Sequence, residues 1–458
     1  MGATPLNKLR HNQKETNMQT QSLLTDKKIR AEISYLSASP RLINMPRAYA
    51  VMKEQGLDAM VPTTHKNLYY ATGHMPDSVL GDFQDLTAAA VLPADEKVSP
   101  MLVASDYDLA YLVTHPTWMP ELRMFGAKER SSATFLLEVL SKGLGIETEL
   151  RDPLRALYTE TRSHVEPDIY TALMRALSDT LPSGQVRVAF DDLRVGNEIR
   201  RRLGDRIHVV DGLHHFRKIR MVKTPAELKL LRKSASINDV AVMEAAAAAG
   251  AGRKMSAMVD AYRMSMVRQG GSAMGQRGMM FGAGPDGGFV LDNEYAEAKI
   301  LSAGDVIVLD CVGKYQLYHC DTARTGIVEK ASAQLTKKHD AVREALETAE
   351  AQLKPGANTL DLAALAANVL TKHGLNLNLT TLAWHNVGLD VVEYSHPSER
   401  TGGWTVEPGM VMNLELFHRD PDIGGVHMED SVHVTPTGLE YLSALPREVL
   451  VTGTPSNK

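Results

Sequence analysis

At 458 residues with a formal net charge of −5, the chain is long enough for two domains that each bury a sizeable core. It lacks the basic excess that bulk binding to nucleic acid requires. Its two cysteines, Cys311 and Cys320, exclude a disulfide framework and fit a reducing compartment. The longest apolar run, around 245–249, is far too short to span a bilayer, so a soluble cytoplasmic protein with no membrane partner is expected.

Residues 1–36 are mostly polar and charged and hold no apolar segment of the secretory kind, which reads as a flexible N-terminal segment. From residue 37 to about 210, apolar stretches alternate with helical patterns, as where the run 186–190 precedes a helix-like stretch through Arg200 and Arg201. That alternation predicts an α/β domain with a largely covered sheet. The basic stretch 216–223 reads as a solvated linker, which sets domains at 37–216 and 217–458. Just beyond it, Thr224, Pro225 and Glu227 supply an N-cap, an N1 proline and an N3 glutamate, so a helix starts there. Further helices fit 332–353, ended by Lys354-Pro355-Gly356, and 359–373, ended by Gly374.

The chemistry gathers further on. Val306, Ile307, Val308 and Leu309 form an apolar strand covered on both faces, and Asp310 follows inside the run. A hairpin centred on Tyr315 and Gln316 sets Asp310 directly opposite Asp321, with Cβ atoms about 4.5–5.5 Å apart. Two buried anions so close call for a shared proton or a cation. The device repeats: strands 411–417 and 424–434, folded about Asp422, set Glu415 opposite Glu429. Between the pairs, His385 precedes the turn at Gly388. Singly, each residue has an ordinary explanation, a turn-capping aspartate, a solvated edge or a hydrogen-bonded core histidine. Together, four carboxylates and one imidazole suit two divalent ions such as Mn, Fe, Co or Zn.

Asp310, Asp321, His385, Glu415 and Glu429 resemble the five ligands of the methionine aminopeptidase, prolidase and creatinase family (M24), whose catalytic domain has the α+β "pita-bread" fold. Tyr315 and Tyr318 match tyrosine positions between its two aspartates. Residues 321–325 resemble its Asp-x-Thr-Arg-Thr with Ala323 in place of one threonine, and Glu407-Pro408-Gly409-Met410 and Glu429-Asp430 also fall where the family has them. Residues 41–73, with Gly56-Leu57-Asp58-Ala59, Asn67-Leu68-Tyr69-Tyr70 and Thr72-Gly73, look like the start of the creatinase/prolidase N-terminal domain. The resemblance implies two divalent metal ions, a small-molecule or dipeptide substrate and a homodimer. It also implies a hydrolase cleaving a C–N bond (peptide, amide or amidine), with Glu415 and His385 as catalytic residues.

Three departures bear on the substrate. The family's second histidine, seven positions after the ligand histidine, is Val392 here; residues 284–305 offer Asp292 and Asn293 but no imidazole; and His427 stands where many prolidase-like members have arginine. Substitute donors to the substrate are sought in His396, His418 and His427, each of which also has an ordinary reading as a surface or supporting residue. Two alternatives remain open. One is a dimethylsulfoniopropionate lyase, which the residues 310–315 resemble but whose base is out of register, with Asp390 near and Val391 in its place. The other is a metal-free creatinase-like amidinohydrolase or a non-catalytic binding protein.

Overall fold

The structure, a computed structural model, describes residues 41–76, 86–115, 117–126, 165–274, 279–289, 294–394 and 398–452. The expected N-terminal segment 1–36, His396, and Asp292 with Asn293 lie outside the described residues. The chain divides into two compact units, one built mainly from Met52–Gly212 and the other from Ile43–Val51 together with the chain from Leu213 on.

The first unit is a six-stranded mixed sheet. Its strands are β1 (Ala59–Val61), β2 (Ala89–Pro93), β3 (Met101–Ser105), β4 (Glu121–Phe125), β5 (Val186–Phe190) and β6 (Ile207–Asp211), in the order β4-β3-β2-β1-β5-β6. Val61, Val91, Val103, Val188 and Phe190 pack with Leu173 and Leu177 of α1 (Ile169–Thr180) and Ile199 of α2 (Leu193–Leu203). Asp168 and Asp192 cap the two helices by accepting from the Thr171 and Arg194 backbone N–H groups.

The second unit opens on α3 (Pro225–Ala248), whose Thr224 and Glu227 form the reciprocal capping box read from the sequence. Next come α4 (Ser256–Arg268), β7 (Ser272–Ala273), β8 (Met279–Ala283), β9 (Val306–Tyr315), β10 (Tyr318–Val328), α5 (Ala333–Glu350), α6 (Thr359–Lys372), β11 (Thr380–Asn386), β12 (Val411–Asp420), β13 (Gly424–Thr435), β14 (Gly438–Tyr441) and β15 (Leu450–Thr452). The main sheet runs β11-β12-β13-β10-β9-β7.

Strand alternation divides the labour of this sheet. Met412, Leu414 and Leu416 of β12 and Val426, Met428 and Val432 of β13 pack with Leu335, Val342, Leu346, Leu362 and Leu370 of α5 and α6. Ile307, Leu309 and Cys311 of β9 pack with Ala241, Ala245, Met258, Tyr262 and Met266 of α3 and α4. The residues between these apolar positions, Asp310, Glu415, Glu429 and their neighbours, therefore project from the other face. Both cysteines are buried and unpaired in strands, the ordinary reading of their positions.

The β9–β10 hairpin corrects the expected register. Tyr315 pairs with Tyr318, so the turn is Gln316-Leu317 and Asp310 lies opposite Ala323, with Asp321 opposite Val312. Both turn residues hold positive φ, 45° and 66°, as a two-residue hairpin turn matching strand twist demands, although neither is the Asn or Gly that adopts it cheaply. The two-residue offset preserves parity, so Asp310 and Asp321 still share a face as diagonal neighbours. In β12–β13, by contrast, Glu415 lies opposite Glu429 as the turn around Asp422 requires.

Candidate metal centre

The register writes the site as two adjacent rows that together draw on five strands. Asp310 is opposite Ala323, Ala323 opposite Glu429, and Glu429 opposite Glu415. One pleat further along, Ser431 is opposite Asn413 and Asn413 opposite His385. Ligand atoms of Asp321, His385 and Glu429 all lie within 4.8 Å of one another, and all three residues are buried. His385 Nε2 is 3.6 Å from Glu429 Oε1, and its Nδ1 lies 3.2 Å from the Asn386 carbonyl. Asp310 and Glu415 meet at His427, whose Nδ1 is 4.0 Å from Asp310 Oδ2 and whose Nε2 is 3.1 Å from Glu415 Oε1.

Packing four carboxylates into this pocket strains their ionisation. Burial, opposed by His427 and compounded by the charges of Glu429 and Glu415, pushes the Asp310 carboxyl up to about 8. Burial and the neighbouring Glu429, Asp310 and Glu415 hold Asp321 well above the carboxylate range. Glu415 goes the other way: burial opposes its charge, but the hydrogen bond and charge of His427, with His385 and Arg419, bring it below its ordinary value. Burial works against the His385 and His427 cations, and the adjoining carboxylates overcome it in both. Asp321 Oδ1, buried, has no hydrogen-bond partner among the described residues. An unsatisfied carboxylate oxygen, beside an imidazole and more carboxylates, is the donor set a hard or borderline divalent cation fits.

Residues the sequence argument had passed over hold these ligands in place. Asn413 donates to Glu429 Oε1 at 2.8 Å and to the Asp321 carbonyl at 3.2 Å. The Ser431 hydroxyl donates to Asn413 Oδ1 at 2.6 Å. Arg324, 1% exposed, donates to the Glu429 carbonyl at 2.7 Å and pairs with Asp430 at 2.7 Å. Asn413 and Ser431 stand two residues from Glu415 and Glu429 on their strands, so alternation alone could have placed them on the site face.

The comparisons with known proteins agree with this geometry. Residues 229–436 match the model of metallopeptidase family M24, and residues 45–222 match the creatinase/prolidase N-terminal domain. The chain carries an M24 metallopeptidase domain behind a creatinase/prolidase N-terminal domain. An Xaa-Pro dipeptidase of Pyrococcus horikoshii is 29% identical over 238 residues, 51% of this chain and 66% of that protein. A probable dipeptidase PepE of Mycobacterium bovis is 25% identical over 406 residues, 88% and 94% of the two chains. Among solved structures, the prolidase from Pyrococcus horikoshii OT3 superposes with a TM-score of 0.65 at 19% identity, covering 89% of this chain and 99% of that one. These likenesses carry the fold: an α/β creatinase-type N-terminal domain followed by the α+β pita-bread domain.

Within the M24 frame, the structure sorts the histidines. His418 lies on the opposite face of β12 from Glu415; it accepts or donates with the Thr380 hydroxyl at 2.9 Å and stands 3.8 Å from Asp420. Burial, with Lys338 nearby, lowers it to about 4. It thus stands on the helix-covered side of the strand, away from the Glu415 carboxylate. His427 faces the M24 carboxylates rather than open space. Val392, at the position of the missing peptidase histidine, is 43% exposed. Asp390, considered as a lyase base, is engaged by Arg220 in a short ion pair. Among the described residues, no helix is long and apolar enough to cross a membrane.

Proposed function

We propose that this chain is a dinuclear metal-dependent hydrolase that cleaves a C–N bond in a small substrate such as an Xaa-Pro-type dipeptide. The observation that carries the reading is the buried cluster of Asp321, His385 and Glu429, with the unsatisfied Asp321 oxygen and Glu415 set directly across from Glu429. In this reading Asp310, Asp321, His385, Glu415 and Glu429 hold two ions of the Mn, Fe, Co or Zn kind. Bound there, the ions would supply Lewis-acid activation of a water at neutral pH.

The chain's own residues do the rest. Glu415, kept below its ordinary carboxylate range, is an anion able to take a proton from the attacking water and return it to the leaving nitrogen. His385, anchored at the Asn386 carbonyl, holds its other nitrogen towards Glu429. The Arg324 and Asn413 contacts to Glu429 fix that carboxylate against the repulsion of its neighbours. With Val392 in place of a donor, substrate recognition by this chain relies less on an imidazole over the carbonyl than in other family members. A homodimer and a cytoplasmic location belong to the same reading.

Metal analysis of protein purified without chelator, on the parent and on Asp321→Ala and Glu429→Ala, tests the proposal alongside hydrolysis assays. The assays take Ala-Pro, Ala-Ala, a simple amide, creatine and dimethylsulfoniopropionate. Near two transition-metal ions per chain, lost in both variants together with dipeptide hydrolysis, is the expected result. A metal-free parent that remains folded and active would overturn it in favour of the amidinohydrolase alternative, and release of dimethyl sulfide would favour the lyase.

A further inference from the structure

We propose that His427 is a sixth protein ligand of this centre, binding one ion through its Nδ1 lone pair in partnership with Asp310. The inference rests on the dinuclear reading above and adds a donor that the five-residue set lacks. His427 is 1% exposed, and its Nδ1 has no hydrogen-bond partner among the described residues. That nitrogen faces Asp310 Oδ2 across 4.0 Å. Its other nitrogen, Nε2, stands 3.1 Å from Glu415 Oε1, a distance at which an N–H donates to a carboxylate. Binding an ion requires the neutral imidazole, which carries one N–H, and donation from Nε2 then leaves the Nδ1 lone pair facing Asp310 Oδ2. Two such atoms facing each other repel unless a proton or a metal ion lies between them, and an ion that binds displaces the proton. Donors about 2.1 Å from one tetrahedral ion lie about 3.4 Å apart, so the two atoms would have to close by about half an ångström to share one.

His385 sets the pattern. One of its nitrogens is tied to the Asn386 carbonyl at 3.2 Å, and the other faces a carboxylate oxygen at 3.6 Å. His427 reproduces this with Glu415 as the anchor and Asp310 as the facing oxygen, the division of labour found where an imidazole binds a metal through one nitrogen and a hydrogen bond orients it through the other. The ring is also locked. It stacks on Phe417 at 4.5 Å and 19°, and the Arg419 guanidinium lies 4.1 Å over the Phe417 ring. The His427 backbone N–H donates to the Thr325 hydroxyl at 2.9 Å, and that hydroxyl donates to the His427 carbonyl at 3.0 Å. An ion held by this nitrogen has a softer donor set than carboxylates alone provide, which favours Co, Fe and Zn over Mn.

Titration of chelator-stripped protein with Co2+ tests the assignment without reference to turnover, by calorimetry, visible absorption and paramagnetically shifted proton NMR. The parent should take up two Co2+ and show two exchangeable imidazole N–H signals, one each from His385 and His427. His427→Gln should weaken the second Co2+ at least tenfold and remove one signal. His427→Phe, which keeps a ring against Phe417 but removes both nitrogens, should weaken the second Co2+ at least as much while the metal-free fold, by circular dichroism, is unchanged. A parent that binds two Co2+ but shows a single imidazole signal overturns the assignment and leaves the centre standing, as do variants that both keep two Co2+ with parental affinity and spectrum. A parent that binds no Co2+ overturns the centre itself. The NMR count needs no variant, so misfolding of either substitution does not shield the proposal.

Discussion

Glu393→Gln should destabilise the second unit by about 3 kcal/mol, although the residue lies outside the proposed ligand set. Glu393 is 1% exposed and accepts from Arg220 Nε at 3.1 Å, Lys223 Nζ at 3.0 Å and the Asp390 backbone N–H at 3.1 Å. Arg220 and Lys223 have side chains only 3% and 0% exposed, so a neutral amide strands two buried cations, a loss worth about 3–5 kcal/mol. The lower end applies for two reasons. Arg220 keeps its pair with Asp390. Glu227, pushed up to about 8 by burial against the pull of Lys223 and with Glu393 adding repulsion, ionises more readily once Glu393 is neutral. Urea unfolding followed by the buried Trp384 and Trp404 measures the loss, and the thermal midpoint should fall by about 6–12 °C at about 2–4 °C per kcal/mol. The penalty must also depend on pH. Burial opposes the Glu393 charge, but Arg220 and Lys223 prevail and lower its pKa in the folded state. Its contribution is therefore present above the ordinary glutamate range and is lost as pH falls through the lowered value. A loss below about 1 kcal/mol at pH 7, or one that stays constant down to pH 3, would refute the argument that the pair is charged and mutually dependent.

Two further outcomes follow from single residues. Replacing Gln316-Leu317 by Asn-Gly, residues suited to the positive φ observed there, should stabilise the protein by about 1 kcal/mol in urea titrations, strain relief of about 1–2 kcal/mol per residue being partly offset by the freer unfolded chain. No gain would mean the turn is not held in that conformation in solution. Burial, with Arg343 beside it, lowers His339 from its ordinary 6.5 to about 4, and its Nε2 has no partner among the described residues. The unfolded chain then binds a proton that the folded one refuses, so stability should fall by about 3 kcal/mol as pH drops from 6.5 to 4. His339→Met should flatten that slope in unfolding measured across the window; an unchanged slope would assign it to other groups.

What the sequence made legible here was whatever strand parity carries. The turn around Asp422 is rich in turn formers, so folding the chain there sets Glu415 against Glu429 in the observed register. Gln316-Leu317 carries no such signal, and the pairing was read one turn position early. The error moved Asp321 by a whole pleat along the strand, but a two-residue slip does not change faces, and the acids stayed together. Parity also separates His427 from His418, which composition treats alike: His427 shares a face with Glu429, and His418 lies on the opposite face from Glu415. What could not be read is contact across distant segments. Nothing near Arg220 or Lys223 announces a partner 170 residues or more away, and a basic stretch that suggests a solvated linker proves to hold two buried cations. The same holds for Arg324, which looks like one more motif residue until its guanidinium is found on the Glu429 carbonyl. Ligands in this fold announce themselves locally because metal chemistry restricts their types, whereas the groups that hold them are specified only by the packed structure. Removing those groups is therefore the sharper test of whether the centre is preorganised or assembled by its ions.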